Sequence, residues 1–285
     1  MSKPATGSRP VPSWLITHSF HDFDAGVLKS GKEAEVFLVE RSSADGSCLL
    51  AHKRYRPRYP GAGELRALGF SKGTIYRADK VYRAGWNLNR RDRLHAESRS
   101  RSGSEMAAGM WPANEVAMLR RAWDAGASVP YPVDRTDDGL LMEFIGGRNE
   151  AAPRLVNAHL DAHALRSARD QLLDSLAAMS SAHVVHGDLS SYNILWWRGR
   201  LVVIDFPQAV DATTNPHAPD LLARDIANVA GWFERQRVPI DVDELYGELL
   251  GLLFGGADDG TDGAAVGAKV GGAVGAGRTH SPRMS

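Results

Sequence analysis

The chain has 285 residues, of which 43% are hydrophobic and 24% charged, and its 34 basic and 34 acidic residues leave a formal net charge of zero. This composition is ordinary for a soluble globular protein, so overall charge predicts no partner. Because Cys48 is the only cysteine, an internal disulfide is excluded, and no apolar run reaches the roughly 18–20 residues of a membrane span, so we expect a cytoplasmic protein.

The first half of the chain is predicted to be rich in strands. Residues 1–20 are expected to form a disordered lead-in, and 27–55 are predicted to be strands with a hairpin turn at Ser43-Ala44-Asp45-Gly46. The run from Lys53 to Arg101 then contains 14 Lys+Arg against 4 Asp+Glu. We therefore expect a basic, flexible insert at about 56–104.

The second half is predicted to be mostly helical. Apolar spacing predicts helices at about 105–125, 160–181, 219–235 and 242–254. Gly126 is expected to stop the first helix, and Asp138-Gly139 predicts a two-residue hairpin turn. The Gly/Ala-rich residues 255–285 are expected to be disordered. This order predicts an α+β fold with a small β-rich lobe at 21–145 and a larger helical lobe at 146–254.

The clearest chemical pattern lies at 184–205. Asp188 stands five residues before Asn193 in a polar loop, and Asp205 ends the apolar strand that follows. Phosphoryl transfer from ATP needs a carboxylate to orient the attacking hydroxyl and oxygen ligands to hold magnesium against the phosphates. Asp188 and Asp205 are therefore candidate catalytic residues, and Asn193 and Asp205 are candidate ligands of Mg²⁺, or of Mn²⁺ in its place. An Asx-rich surface turn is the alternative.

Lys53 is a third candidate catalytic residue. It lies within an apolar strand, where an unpaired charge would be costly. We predict that it contacts the α- and β-phosphates of a nucleotide and pairs with Glu115, near the start of the helix at 105–125. An exposed lysine on an edge strand is the alternative.

The turn at 28–36 occupies the position of a phosphate-covering loop. It holds one glycine, so it is neither a G-x-G-x-x-G loop nor a Walker A sequence. Ser30, Gly31 and Lys32 would offer a hydroxyl, a backbone N–H and a positive charge to phosphates, and Val36 would also contact the nucleotide. A plain hairpin turn explains the segment equally well.

The segment at 140–146 is predicted to link the lobes and to contact adenine. Adenine recognition needs backbone N–H and C=O groups beside apolar walls. Met142 is the candidate wall residue, and the backbone of Glu143 and Ile145 is expected at the purine edge.

These segments together resemble the RIO family of atypical serine protein kinases. The resemblance rests on SGKEAEVF (30–37), AHKRY (51–55), NEVAML (114–119), LLMEFIGG (140–147), HGDLSSYNIL (186–195), VVIDFPQAVD (202–211) and ARDIANVAGWF (223–233). Ser190 stands where ordinary protein kinases have lysine, and Asp-Phe-Pro-Gln replaces Asp-Phe-Gly. The Ser190–Asn193 segment is similar to the first RIO subgroup and IDFPQ to the second, as in a bacterial-type member with mixed features.

The resemblance implies a two-lobed kinase fold without an activation segment, binding of ATP and magnesium, and serine autophosphorylation. In some members it implies ATPase cycling through phosphorylation of the metal-binding aspartate, here Asp205, and in archaea and eukaryotes a role in small-subunit ribosome maturation. We therefore expect a serine kinase acting on itself or on another protein, or an ATPase. A small-molecule phosphotransferase and an ATP-gated RNA- or ribosome-binding module, contacting RNA through 53–101, remain alternatives.

Overall fold

The computed structural model describes residues 9–31, 34–55, 101–148 and 150–255, and for 101–112 it describes the helical backbone. The predicted basic insert lies almost entirely outside these residues. Lys32 and the predicted tail at 255–285, except Gly255, also lie outside them.

A five-stranded antiparallel sheet forms the first lobe, with strand order β1-β2-β3-β5-β4. Its strands are β1 (His21–Ser30), β2 (Ala34–Ser43), β3 (Gly46–Tyr55), β4 (Pro132–Arg135) and β5 (Gly139–Glu143). The predicted turn between β2 and β3 is confirmed. Helix α1 (Arg101–Asp124) shares a buried core with β5 through Leu119 and Leu140. It ends just before Gly126, whose φ of +99° favours glycine.

The register of this sheet determines which side chains face the second lobe. Directly paired residues on neighbouring strands point to the same face, and successive residues point to opposite faces. One row of partners consists of Lys29, Val36, Lys53 and Leu140, and the adjacent row on the opposite face consists of Ser30, Glu35, Arg54 and Gly139. The first row faces the second lobe, because Lys53 contacts Asp205 there.

The turn between β4 and β5 differs from the predicted one. Gly139 is the first residue of β5, and the Thr136 N–H donates to the Gly139 C=O at 3.1 Å, so the turn consists of Asp137 and Asp138. A Cβ atom at Gly139 would lie 1.9 Å from the Lys53 carbonyl oxygen. Glycine is required here by the close approach of β3, and the prediction that it forms the turn was wrong.

The second lobe consists of three helices and short strand pairs. Its elements are β6 (Gly146–Gly147), β7 (Glu150–Ala151), a 3₁₀ turn (Leu155–Asn157), α2 (Ala162–Ser181), β8 (Val184–Val185), β9 (Ile194–Trp197), β10 (Arg200–Val203), β11 (Val210–Asp211), α3 (Ala218–Arg235) and α4 (Val242–Phe254). Asp161 caps α2 by accepting the Ala164 N–H at 2.8 Å, which satisfies a backbone donor of the first helical turn. The three helices lie where apolar spacing predicts them.

The main hydrophobic core joins helices α1 to α4. Leu119, Leu172, Leu201, Phe206 and Phe233 belong to it, and each is at most 2% exposed. Burial of each such side chain contributes about 1.5–3 kcal/mol. The architecture is the predicted two-lobed α+β fold, and only residues 206–217 separate Asp205 from α3. Within the described ranges, no helix is long and apolar enough to cross a bilayer.

Residues 9–20 contact the first lobe, although the sequence predicts disorder there. The Arg9 guanidinium lies 4.1 Å from the centroid of the Trp123 ring and donates to the Trp123 C=O at 3.1 Å. Trp14 packs edge-on against Tyr131, and Leu15 packs against the core. The prediction was based on Pro and Ser content, which does not report single anchoring side chains.

Candidate active site

A buried ionic cluster joins the two lobes. Lys53 Nζ lies 2.7 Å from Glu115 Oε1 and 2.7 Å from Asp205 Oδ1. The side chains of Lys53 and Glu115 are 8% and 2% exposed, whereas that of Asp205 is 40% exposed. Glu115 also accepts the backbone N–H of Phe206 at 3.2 Å. The structure thus brings together three of the predicted site residues, and Glu115 contacts both Lys53 and the segment after Asp205.

Electrostatics keep Lys53 charged in this cluster. Burial acts to lower the pKa of Lys53, but the carboxylates of Glu115 and Asp205 outweigh it and raise the pKa above its ordinary value. Burial opposes the charge of Asp205 as well, yet the adjacent Lys53 keeps the pKa of Asp205 below its usual range. Burial raises the pKa of Glu115 against the pull of Lys53. Because two carboxylates flank one ammonium group, we assign the charged form to Lys53.

The loop between β8 and β9 holds Asp188 and Asn193 together. Asn193 Nδ2 donates to the Asp188 C=O at 2.8 Å and to the Asp188 carboxylate at 3.1 Å. The Ile204 N–H donates to the Asn193 C=O at 2.9 Å, which places the loop beside Asp205. Asp188 is exposed and Asn193 is buried. The amide nitrogen of Asn193 binds Asp188, and the amide oxygen of Asn193 takes no part in these two hydrogen bonds.

Helix α3 fixes the backbone on both sides of Asp188. Asp225 accepts the Gly187 N–H at 2.7 Å and the Leu189 N–H at 2.9 Å. Asn228 Nδ2 donates to the Leu189 C=O at 3.1 Å. A carboxylate that accepts two backbone N–H groups is a strong, geometrically specific contact. The position of the Asp188 side chain therefore depends on α3.

Sequence reasoning missed Asp225. Its neighbours Leu222 and Ile226 belong to the buried face of α3, and Asp225 itself is 1% exposed. Burial raises its pKa above the ordinary aspartate value. A charged residue at an apolar position of an amphipathic helix is the signal that would have identified it.

Two residues of the site adopt the left-handed backbone conformation. Gly187 has φ +77°, and a Cβ atom there would lie 2.4 Å from the Gln208 carbonyl oxygen. Asp205 has φ +73°, which is costly for a residue with a Cβ atom and is typical of functional sites. His186 packs edge-on against Phe206 with centroids 4.8 Å apart. This ring contact joins the segment just before Asp188 to the residue directly after Asp205.

The structure does not bring Ser30 to the ionic cluster. Ser30 Oγ donates to Glu35 Oε1 at 3.0 Å on the face of the sheet opposite Lys53. The Gly31 N–H donates to the Ala34 C=O at 2.9 Å, within the turn. Both predicted phosphate-binding groups are therefore engaged by the turn itself.

Val36 and Lys29 lie on the face that carries Lys53. Val36 is the direct partner of both residues in the sheet. Val36 was selected from the sequence as a nucleotide contact, whereas sequence reasoning did not select Lys29. Lys32 lies outside the described residues.

Glu143 cross-links the two lobes through its side chain. Its carboxylate accepts the Tyr131 N–H at 3.0 Å and pairs with Arg200 Nη1 at 2.8 Å. Its own N–H donates to the Tyr131 C=O at 2.8 Å. These bonds fix the end of β5 against the hairpin of β9 and β10.

Met142 and Ile145 flank this cross-link. Met142 pairs with Ala51 in the sheet, so it shares the face of Lys53, and it packs against the main core. The C=O of Ile145 accepts the Ala152 N–H at 3.0 Å. The three linker residues predicted from the sequence therefore lie side by side at the end of β5.

The donor atoms around Asp205 suit a hard divalent cation. The Asn193 amide oxygen and the Asp205 carboxylate are oxygen donors of the kind that Mg²⁺ prefers. Asp205 Oδ1 is paired with Lys53, so Oδ2 is the oxygen turned away from that pair. Mg²⁺ commonly takes one or two protein oxygens and completes its shell with phosphate and water, and this pair fits that pattern.

Known proteins resemble this chain over most of its length. A model of the RIO domain matches residues 71–245, more than half of the chain. The RIO-type serine/threonine-protein kinase Rio1 of Haloferax volcanii is 32% identical over 244 residues, covering 79% of this chain and 81% of the relative. The protein of the same name from Methanocaldococcus jannaschii is 33% identical over 230 residues, covering 78% and 66%. The human serine/threonine-protein kinase RIO1 is 34% identical over 230 residues, covering 78% of this chain and 35% of that protein.

The match to the family model contains Glu115, Asp188, Asn193 and Asp205. It covers more than half of the chain, and the relative from Haloferax volcanii is matched over four-fifths of its own length. The family predicted from the sequence motifs is therefore confirmed: the chain belongs to the RIO family.

Proposed function

We propose that this RIO-type protein kinase transfers the γ-phosphoryl group of ATP, bound with Mg²⁺, to serine hydroxyls, including its own. The observation that supports this most directly is the cluster of Lys53, Glu115 and Asp205 beside the loop that holds Asp188 and Asn193. Phosphoryl transfer depends mainly on positioning and charge neutralisation, and these residues supply both.

Asp188 orients the attacking group. Its exposed carboxylate accepts the hydrogen bond of a serine hydroxyl. The proton passes to that carboxylate as the hydroxyl oxygen bonds to phosphorus, and the bond to the bridging oxygen of the leaving ADP breaks. Asn193 and Asp225 hold the loop, so that the carboxylate does not have to be ordered when the substrate arrives.

Lys53 and Asp205 act on the phosphates. The Lys53 ammonium binds the α- and β-phosphates, and its ion pair with Glu115 holds it in place. Asn193 Oδ1 and Asp205 Oδ2 would hold Mg²⁺, which when bound neutralises the charge of the β- and γ-phosphates. The backbone of Glu143 and Ile145 contacts the purine edge, with Val36 and Met142 as apolar walls.

Incubation with γ-³²P-labelled ATP and Mg²⁺ tests this function. We expect serine phosphate on the wild-type chain, and Asp188→Ala should abolish transfer while leaving ATP affinity within a few-fold. Asp220→Asn is the control, because the Asp220 side chain is 88% exposed and should change neither quantity. Label recovered as acyl phosphate on Asp205 or as free phosphate would indicate an ATPase instead. Label on a screened sugar, amino alcohol or antibiotic, with none on protein, would contradict protein kinase activity.

The basic run at 53–101 supports a contact with RNA phosphates as a second proposal. Its excess of Lys and Arg would bind nucleic acid without sequence specificity and with steep salt dependence. Retention of ribosomal RNA at about 50 mM salt and its loss at about 200 mM is the expected result. Retention that does not respond to salt would contradict the proposal.

A further inference from the structure

Lys29 and Arg154 are two cations whose charges act on one another at this cleft, and Asp205 also acts on Lys29. Among the residues that the structure describes, no acidic side chain lies within 4.0 Å of the charged group of Lys29 or Arg154. Lys53, by contrast, is neutralised by Glu115 and Asp205 together. Within the described part of the chain, Lys29 and Arg154 are therefore cations at this cleft whose charge no carboxylate holds in an ion pair.

Lys29 belongs to the first lobe and faces the cleft. It is the sheet partner of Val36, which is the partner of Lys53, so the two lysine side chains leave the same face two strands apart. Strands are spaced about 4.8 Å apart, which puts the two Cα atoms at about 10 Å. The charges also interact, because burial and the positive charges of Arg154 and Lys53 lower the pKa of Lys29 and Asp205 opposes that shift.

Arg154 belongs to the second lobe and is fixed against the catalytic loop. It forms an isolated bridge with Leu195, two residues after Asn193. On one side of it, the Trp196 N–H donates to the Pro153 C=O at 3.0 Å, and on the other the Val156 N–H donates to the Ser191 C=O at 3.2 Å. Arg154 is half-buried, so its backbone position is determined by the same loop that positions Asn193.

We propose that Lys29 and Arg154, one from each lobe, bind the terminal phosphate of the nucleoside triphosphate. The inference rests on the proposed function. It explains how a chain whose turn uses Ser30 Oγ and the Gly31 N–H internally still binds a polyphosphate. Two side-chain cations supply the positive charge that backbone N–H groups supply in glycine-rich loops. They select a triphosphate because ADP leaves both without a partner.

Calorimetric titration with ATP and ADP in the presence of Mg²⁺ tests the inference without any need for turnover. Lys29→Ala and Arg154→Ala should each weaken ATP binding about tenfold, the effect of losing one hydrogen bond to a charged group, and leave ADP binding nearly unchanged. Lys29→Arg should retain most of the ATP affinity. Arg135→Ala is the matched control, because Arg135 is an exposed cation at the opposite end of the row that contains Lys29 and Lys53.

The outcomes separate this inference from the proposed function. A wild-type chain that binds neither nucleotide would overturn the proposed function. Wild-type binding with equal losses of ATP and ADP affinity in the variants would overturn the assignment to the terminal phosphate. Unchanged ATP affinity in the double variant, with its fold verified by circular dichroism, would overturn the inference itself.

Discussion

Lys53 contacts two carboxylates at the same distance, but the two contacts are not equivalent. Glu115 is 2% exposed and Asp205 is 40% exposed, so removing the lysine leaves one carboxylate buried without a counter-charge. Removing the charge of Glu115 instead leaves Lys53 paired with Asp205. Glu115 and Asp205 therefore contribute unequally to stability, although both lie at the same distance from Lys53.

The variants Lys53→Met and Glu115→Gln should therefore differ in stability. We expect Lys53→Met to lower the free energy of unfolding by about 3–5 kcal/mol, the cost of breaking a buried ion pair. Glu115→Gln should cost about 1–2 kcal/mol, and the double variant should cost less than the sum of the two. Urea unfolding measures all three. A Glu115→Gln variant as unstable as Lys53→Met would show that Asp205 does not share the lysine.

Substitutions at Gly187 and Gly199 distinguish the cost of a positive φ from the cost of a steric clash. Both have positive φ, +77° and +82°, but only at Gly187 would a Cβ atom meet an obstacle, the Gln208 carbonyl oxygen at 2.4 Å. Gly199→Ala should cost about 1–2 kcal/mol, as expected for alanine in the left-handed region. Gly187→Ala should cost more and also slow phosphoryl transfer, because it displaces the loop of Asp188. If Gly187→Ala and Gly199→Ala had equal effects on thermal unfolding and on turnover, the steric clash expected at Gly187 would be contradicted.

At the scale of elements, the sheet register decides which predicted residues reach the site. The motif around Ser30 predicts the correct turn between two strands. Successive residues of a strand point to opposite faces of the sheet, so Lys29 faces the cleft and Ser30 does not. Register depends on pairing with distant strands, so local sequence could not provide it. The helices followed from apolar spacing, and Asp188, Asn193 and Asp205 followed from a local motif, because periodicity and loop chemistry are local properties.

Helix α1 is tied to β11 by an ion pair whose strength depends on pH. Arg121 Nη1 lies 2.6 Å from Asp211 Oδ2. Burial acts to raise the pKa of Asp211, but hydrogen bonds from Thr213 and Arg121 outweigh it and lower the pKa below 3.8. An aspartate with a depressed pKa stabilises the fold above its unfolded-state pKa, and this contribution is lost as the pH falls through the folded-state pKa.

Asp211→Asn should therefore reduce the acid sensitivity of the fold. Wild-type stability should fall between about pH 6 and about pH 3, and the variant should lose less over the same interval. The free energy of unfolding in urea at both pH values measures the difference. Asp220→Asn, which changes an exposed carboxylate, should retain the wild-type slope. An Asp211→Asn slope equal to that of wild type would contradict the role of this pair.

At the scale of the whole molecule, the proposed ligands bind residues from both lobes. Lys53 and Val36 come from the sheet, whereas Asp205 and Asn193 come from the second lobe. A nucleotide with Mg²⁺ that contacts both sides should stabilise the folded chain by mass action, since it binds the native arrangement and not the unfolded chain.

MgATP at about 100 times its dissociation constant should add about 2.7 kcal/mol, which raises the unfolding temperature by roughly 5–10 °C, because each kcal/mol corresponds to about 2–4 °C in a domain of this size. Asp205→Asn should lose the part of this increase that depends on Mg²⁺ and keep the part that ATP produces in EDTA. Asn is the suitable substitution, because it tolerates the positive φ of Asp205 better than most residues. Scans with ATP alone, Mg²⁺ alone and both together separate the contributions. If Asp205→Asn shows the full wild-type increase with MgATP, Asp205 does not hold the metal, and the proposed site must place it elsewhere.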